Sequence, residues 1–218
     1  MRIVIAGGHG QIALRLERLL AARGYEVAGL IRKAEQGDDL RTAGAEPVVL
    51  DLESASVEQV ADVLRGADAA VFAAGAGPGS GVDRKDTVDK GAAVLFADAA
   101  VRAGVRRFVV VSSMGADAGH QGDDVFDVYL RAKGEADDHV RGLDALDWTI
   151  LRPGSLTNDA GTGQVRLEAH TGRGMVPRDD VAAVLAELVE TPATAGLTLE
   201  LVSGSAPVSV AVKSVAGN

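Results

Sequence analysis

The chain has 218 residues, with 22 Lys or Arg against 31 Asp or Glu and a net charge of −9. Apolar residues at 47% and charged residues at 24% are globular values, so global disorder is excluded and one large domain fits the length. The acidic balance and an aromatic content of 3% argue against general nucleic-acid binding, which needs a basic surface and often stacking platforms.

In chain order, short β-branched runs alternate with longer amphipathic segments. Arg2–Ala6 reads as a buried strand, followed by a helix over Gln11–Arg23 with Ile12, Leu16, Leu19 and Leu20 on one face. Further strands are predicted at Glu26–Ile31, Pro47–Leu50, Ala69–Ala73, Arg107–Ser112 and Trp148–Leu151. Helices are predicted at Val57–Leu64, Asp83–Ala103 and Val125–Arg141, the last two closed by Gly104 and Gly142. After Pro153 the pattern weakens. Thr157–Gly163 reads as loop, Gln164–Ala169 as a short strand, Asp179–Glu190 as a helix and Leu197–Val202 as a late strand, and Ser214–Asn218 is expected to fray. The alternation predicts an α/β fold: a Rossmann-like, doubly wound parallel sheet with helices on both faces. The expectation is a single domain over 1–218, with a cofactor-binding core at 1–153 and a small substrate-side lobe at 154–218.

With no cysteine in the chain, disulfides and thiolate metal or redox chemistry are excluded. The longest stretch free of Asp, Glu, Lys and Arg runs only from Ala69 to Val82, too short for a membrane helix. Met1–Ala6 lacks the features of a signal peptide. These readings predict a cytoplasmic protein with no membrane partner, as a monomer or homodimer.

Gly7-Gly8-His9-Gly10-Gln11-Ile12-Ala13 joins the first strand to the first helix, with small residues at 7, 10 and 13. Such a turn lets a pyrophosphate approach the backbone at a helix start, whose free N–H groups favour phosphates. The strand before it and the helix after it supply the context a dinucleotide site needs. An NAD site usually carries an acidic residue at the end of the second strand. Here Arg32 and Lys33 stand there, so NADP(H) is expected over NAD(H). A charge-assisted hydrogen bond from Arg32 to the 2′-phosphate is worth about 1.5–3 kcal/mol. Asp51 and Leu52 end the third strand where adenine would lie. Ala73, Ala74 and Gly75 end the fourth, where small residues let a cofactor cross the sheet edge.

The fifth strand runs into Ser112-Ser113, and Tyr129 and Lys133 stand i, i+4 on the helix that follows, on one face. A phenol titrates near 10, and a cation within about 4–6 Å would lower that and fit it for proton transfer. The candidate catalytic set is Tyr129, Lys133 and a serine. Either Ser112 or Ser113 could be that serine, and Ser113 is chosen because it lies just past the strand. Asp117, His120, Asp123 and Asp124 read as a polar loop near the entrance, and Asp137-Asp138-His139 as a solvated helix face. No metal site is expected, and neither a G-x-S-x-G elbow nor a G-x-x-x-x-G-K-[ST] loop is present.

The glycine turn, Val109-Val110-Val111-Ser112-Ser113, Tyr129 to Lys133, Leu151-Arg152-Pro153-Gly154 and Arg178-Asp179-Asp180-Val181 resemble the atypical and extended short-chain dehydrogenase/reductases. The similarity is to small NAD(P)H-binding members that are epimerase/dehydratase-like, NmrA-like or biliverdin-reductase-B-like, and it spans Met1 to Leu188. It implies that Pro153, Gly154 and Ser155 approach the nicotinamide and that Lys133 also holds the ribose. The expected function is NADPH-dependent reduction of a small carbonyl, quinone or flavin-like substrate. The alternatives are a non-catalytic NmrA-like sensor and a sugar-nucleotide epimerase or dehydratase, the latter disfavoured by chain length.

Overall fold

The computed structural model describes residues 1–77, 79 and 81–217. β1 (Arg2–Ala6) leads through the glycine turn to α1 (Gln11–Ala22) and β2 (Glu26–Ile31). α2 (Gly37–Thr42), β3 (Glu46–Val49), α3 (Val57–Leu64) and β4 (Ala69–Phe72) follow. The next helical stretch has three parts: α4 (Val82–Arg84), a π-wound segment (Lys85–Ala92) and α5 (Ala93–Ala103). Then come β5 (Arg107–Val111), α6 (Val125–Arg141), β6 (Asp147–Pro153), β7 (Ser155–Thr157), β8 (Gln164–Glu168) and β9 (Met175–Pro177). The chain closes with α7 (Arg178–Glu190), β10 (Leu197–Ser203), β11 (Ala206–Pro207) and α8 (Val208–Ala216).

Nine strands form one sheet in the order β11-β8-β10-β6-β5-β4-β1-β2-β3, and β7 pairs with β9 in a second small sheet. The large sheet is parallel from β3 to β10; only β8 runs antiparallel, against β10 and β11. β1 alternates as a strand buried on both faces must. Ile3 and Ile5 pack with Leu16, Leu20, Val184 and Leu188 of α1 and α7. Val4 and Ala6 pack with Leu64, Phe96 and Val140 of α3, α5 and α6. Phe72, Phe96 and Phe108 meet at centroid distances of 6.1 and 5.8 Å and supply much of the bulk in this aromatic-poor core. Gly104 ends α5 at φ 75°, a left-handed stop that suits glycine. No helix among the described residues is long and apolar enough to cross a membrane.

The chain steps from β1 outward to β2 and β3, then back across β1 to β4. That reversal opens a crevice at the carboxyl ends of β1 and β4, where open α/β sheets bind their ligands. Residues 154–218 extend the same sheet through β10, β8 and β11 and add the β7–β9 pair at its edge.

The structure departs from the sequence reading in several places. The helix expected over Asp83–Ala103 begins at Val82 and is π-wound over Lys85–Ala92. α2 and α8 are helices that hydrophobic periodicity missed. α2 carries a single large apolar residue, Leu40. α8 reads Val-Ser-Val-Ala-Val, a strand-like alternation, but packs Val208, Ala211 and Val212 at helical spacing against β8 and α7. Ser214 to Ala216 complete α8 instead of fraying, and Asn218 lies outside the described residues. β7 begins before, and takes in the first residue of, the stretch expected to be loop.

Candidate active site

Tight packing dictates small residues in the turn after β1. Gly7 has φ 79°, and a Cβ there would sit 2.6 Å from Ala74 Cα. A Cβ on Gly8 would sit 2.9 Å from Gly29 Cα on β2, and one on Gly10 would lie 3.0 Å from Gly7 O. Gly10 is the N-cap of α1 and brings no capping side chain, so the helix N–H groups keep their capacity for an anion.

Two cavities lie along the crevice. The smaller, about 200 Å³, is lined by Gly7, His9, Gly10, Arg32, Gln36, Asp51, Leu52, Glu53 and Arg84. The larger, about 1070 Å³, is lined by Ile12, Ser112, Ser113, Tyr129, Lys133, Pro153, Gly154 and Ser155, among others. Ala73, Ala74 and Gly75 line both, so the two are joined at the end of β4. A nucleotide-sized end and a roomier end, joined beneath a bare helix N-terminus, fit a dinucleotide extended across the sheet edge.

At the smaller end, charge is organised around Glu53. Its carboxylate takes Arg84 Nη2 at 2.7 Å and Thr87 Oγ1 at 2.7 Å, with Arg32 Nη1 at 3.6 Å. Burial pushes its pKa up, but Thr87 and Arg84 outweigh that and hold the carboxyl below its usual range. His9 pairs with Asp39 at 2.7 Å and Gln36 at 3.2 Å. Of the predicted cofactor residues, Gly8, Gln11 and Lys33 line neither cavity. Successive side chains past a strand end point to opposite sides. Arg32 turns into the cavity, while Lys33 is exposed beside Glu35 at 3.4 Å. Gln11 is exposed and Gly8 packs on β2.

At the larger end, the i, i+4 spacing does bring Tyr129 and Lys133 to the same cavity. Lys133, however, is buried; its Nζ donates to Val111 O at 2.8 Å and lies 4.0 Å from Asp89 Oδ1. The cation over the Tyr129 ring is Lys85, with Nζ 5.2 Å from the centroid. Lys85 reaches Asp89 Oδ2 at 3.8 Å and donates to Gly77 O at 3.3 Å. Lys85 and Asp89 were not singled out in the sequence. Their i, i+4 spacing within a charged helix face resembles any solvated pair, and only the π-wound segment turns both inward. Such segments recur at functional sites.

The two serines separate cleanly. Ser112 is buried and donates to Asp137 Oδ2 at 2.8 Å, where Arg152 Nε and Nη2 also donate at 3.0 and 2.7 Å. Asp137 is therefore an interior group and not part of a solvated face. Burial raises its pKa despite Arg152 and Ser112. Ser113 is half-buried, faces the cavity and donates only a long 3.3 Å bond to Met114 O. The polar loop after it is held to α6 by His120 and Asp127 at 2.9 Å and by Arg131 Nη1 donating to His120 O at 3.0 Å.

A family model described as NAD(P)H-binding matches residues 7–192. The chain is 35% identical over 214 residues to YhfK of Bacillus subtilis (strain 168), named an uncharacterized sugar epimerase; the match covers 98% of this chain and 99% of that one. A solved structure from Bacillus halodurans, named for the NAD-dependent epimerases/dehydratases, superposes with TM-score 0.90 at 37% identity over 100% of both chains. The oxidoreductase ylbE from Lactococcus lactis superposes with TM-score 0.86 at 27% identity, covering 100% of this chain and 98% of that one.

Proposed function

The chain belongs to the NAD(P)H-binding family, and from that premise we propose that it is an NADPH-dependent oxidoreductase reducing a small carbonyl, quinone or flavin-like acceptor. The observation that carries the reading is the convergence of Tyr129, Ser113 and Lys85 on a cavity continuous with a dinucleotide-sized crevice.

The backbone of Gly7 to Ile12 would hold the pyrophosphate, Asp51 and Leu52 the adenosine, and Pro153 to Ser155 the nicotinamide end. Arg32 would meet a 2′-phosphate. A bound reduced nicotinamide supplies a hydride. The chain supplies the rest: the Tyr129 hydroxyl donates a proton to the oxygen of a carbonyl or quinone, or to a ring nitrogen of a flavin, and Ser113 orients that atom by hydrogen bonding. Lys85 favours the negative charge that develops there. Lys133 braces the end of β5 through Val111 O. Residues 154–218 would supply the acceptor side through Leu156, Arg173 and Arg178, which line the same cavity.

Calorimetric titration with NADPH and NADH tests the cofactor half of the reading. NADPH is expected to bind about 10- to 100-fold more tightly, the worth of one charge-assisted hydrogen bond. Arg32→Ala is expected to remove most of the difference. Equal affinities in the unmutated protein would overturn the assignment of Arg32.

A further inference from the structure

We propose that Arg84 sets cofactor preference by acting through Glu53: it occupies that carboxylate and so leaves Arg32 free to take the 2′-phosphate of NADPH. The inference rests on the reading of Arg32 as the phosphate residue and names the positioning residue on which that role depends.

The sharing of one carboxylate is the first argument. The smaller cavity is lined by two arginines, Arg32 and Arg84, and by two acidic residues, Asp51 and Glu53. Asp51 is engaged by the backbone, accepting from Glu53 N at 3.0 Å. Glu53 is within reach of both arginines. Arg84 Nη2 donates to its Oε2 at 2.7 Å, and Thr87 Oγ1 donates to its Oε1 at 2.7 Å. Both oxygens are thus taken by short bonds. Arg32 Nη1 stands 3.6 Å from Oε2, beyond hydrogen-bond distance and second to Arg84 on the same atom. Among the described residues the Arg32 guanidinium makes no hydrogen bond, and its side chain is half exposed.

The second argument is what the carboxylate would do without Arg84. A partly buried anion that loses its cation pairs with whatever cation is nearest. Arg32 is that cation, and a movement of roughly 1 Å would bring it to hydrogen-bond distance of Glu53. A guanidinium held there must give up that bond before it can meet a phosphate. NADH has no 2′-phosphate, so the exchange leaves its binding untouched.

The third argument is the way the contact is built. Glu53 lies in the loop between β3 and α3, 31 residues from Arg84 and 34 from Thr87. Arg41 with Asp38 and Arg65 with Asp62 are pairs three residues apart and well exposed on both sides. The Arg84–Glu53 pair instead joins distant parts of the chain at a cavity wall. Arg84 ends α4 and Thr87 lies in the π-wound segment. Consecutive side chains divide there: Arg84 lines the smaller cavity and Lys85 the larger. The stretch 82–92 therefore serves both ends of the crevice, with Lys85 beside Tyr129 and Arg84 beside Glu53.

Calorimetric titration of a set of variants with NADPH and NADH tests the inference, and the ratio of the two affinities is the readout. NADH differs only in lacking the 2′-phosphate, so damage that is merely structural moves both affinities and leaves the ratio alone. Arg84→Met is expected to lower the NADPH:NADH ratio about 3- to 5-fold, the worth of one partly exposed ion pair now competing with the phosphate. Adding Glu53→Gln to Arg84→Met removes the competitor and is expected to restore most of the ratio. In an Arg32→Ala background, Arg84→Met is expected to leave the ratio where it was, because no guanidinium remains to be captured. A ratio unmoved by Arg84→Met would overturn the inference and leave Arg32 as the phosphate residue. An equal fall in the Arg32→Ala background would mean that Arg84 meets the phosphate itself, and a double variant whose ratio stays low would mean that Glu53 is not the intermediary; either result contradicts the inference. A ratio of one in the unmutated protein would instead remove the assignment of Arg32, and the inference with it.

Discussion

The ammonium of Lys85 lies 5.2 Å from the centre of the Tyr129 ring, while that of Lys133, four residues along the same helix as the tyrosine, is held by Val111 O at 2.8 Å. The two lysines therefore have separable roles although both approach Asp89. Lys85→Met removes the cation beside the reacting group, so kcat should drop by about 10-fold or more. It also takes a cation from buried Asp89, but its own bond to Gly77 O is long at 3.3 Å, so its stability loss should be smaller than that of Lys133→Met. Lys133→Met leaves a buried strand-end carbonyl without its donor and Asp89 with one cation fewer. It should cost about 2–3 kcal/mol of stability. Urea unfolding and steady-state kinetics on both variants separate the two; the reverse pattern would exchange the roles.

Gly10→Val tests the cofactor turn. The backbone at Gly10, with φ −68°, suits an ordinary residue, so the variant should stay folded. Its side chain would, however, stand at the N-cap of α1, beside the free N–H groups proposed to hold the pyrophosphate. Dinucleotide binding should disappear by calorimetry while the circular dichroism spectrum is retained. Undiminished binding by the folded variant would place the cofactor elsewhere.

Glu17 gives the fold a pH dependence. It is fully buried on α1 beneath Gly8 and Gly29, neither carboxyl oxygen has a partner among the described residues, and burial pushes its pKa from 4.5 up to about 8. Folded chains thus keep a proton that unfolded chains release above about pH 4.5. This contribution is greatest at low pH, falls as pH rises towards 8 and is level beyond. Its slope is at most about 1.4 kcal/mol per pH unit. Glu17→Gln should flatten that slope, so that the variant gains on the parent by about 2–4 kcal/mol between pH 5 and pH 8. Urea titrations at both values measure it, and parallel pH profiles would show that the carboxyl is solvated.

The first six strands and most of the flanking helices were legible in the sequence, because strands buried on both faces leave unbroken apolar runs, the edge strand β3 keeps a β-branched pair, and their helices leave a 3.6-residue stripe. The glycine turn was legible for the same local reason. Side-chain direction was not. Spacing put Tyr129 and Lys133 on one face but could not say that the lysine's ammonium would turn to Val111. Nor could it say that Asp137, in an acidic run, would be buried beneath Arg152. Lys85 and Asp89 were hidden because the winding that turns both inward leaves no signature that hydrophobic periodicity detects. α8 was hidden because its valines alternate like a strand and only the contacts with α7 and β8 make it a helix.

Proton transfer by Tyr129 is the centre of the account, and stopped-flow oxidation of NADPH with quinone, flavin and small carbonyl acceptors tests it most directly. Tyr129→Phe removes one hydroxyl and keeps the ring with its neighbours Phe126 and Lys85. With an acceptor that the unmutated protein reduces, the variant should react about 10²–10⁴-fold more slowly, the usual contribution of a positioned acid, with NADPH affinity nearly unchanged. An unchanged rate in Tyr129→Phe would contradict the assignment of the acid, and an unmutated protein that binds NADPH but oxidises it with no acceptor would contradict the enzyme reading itself.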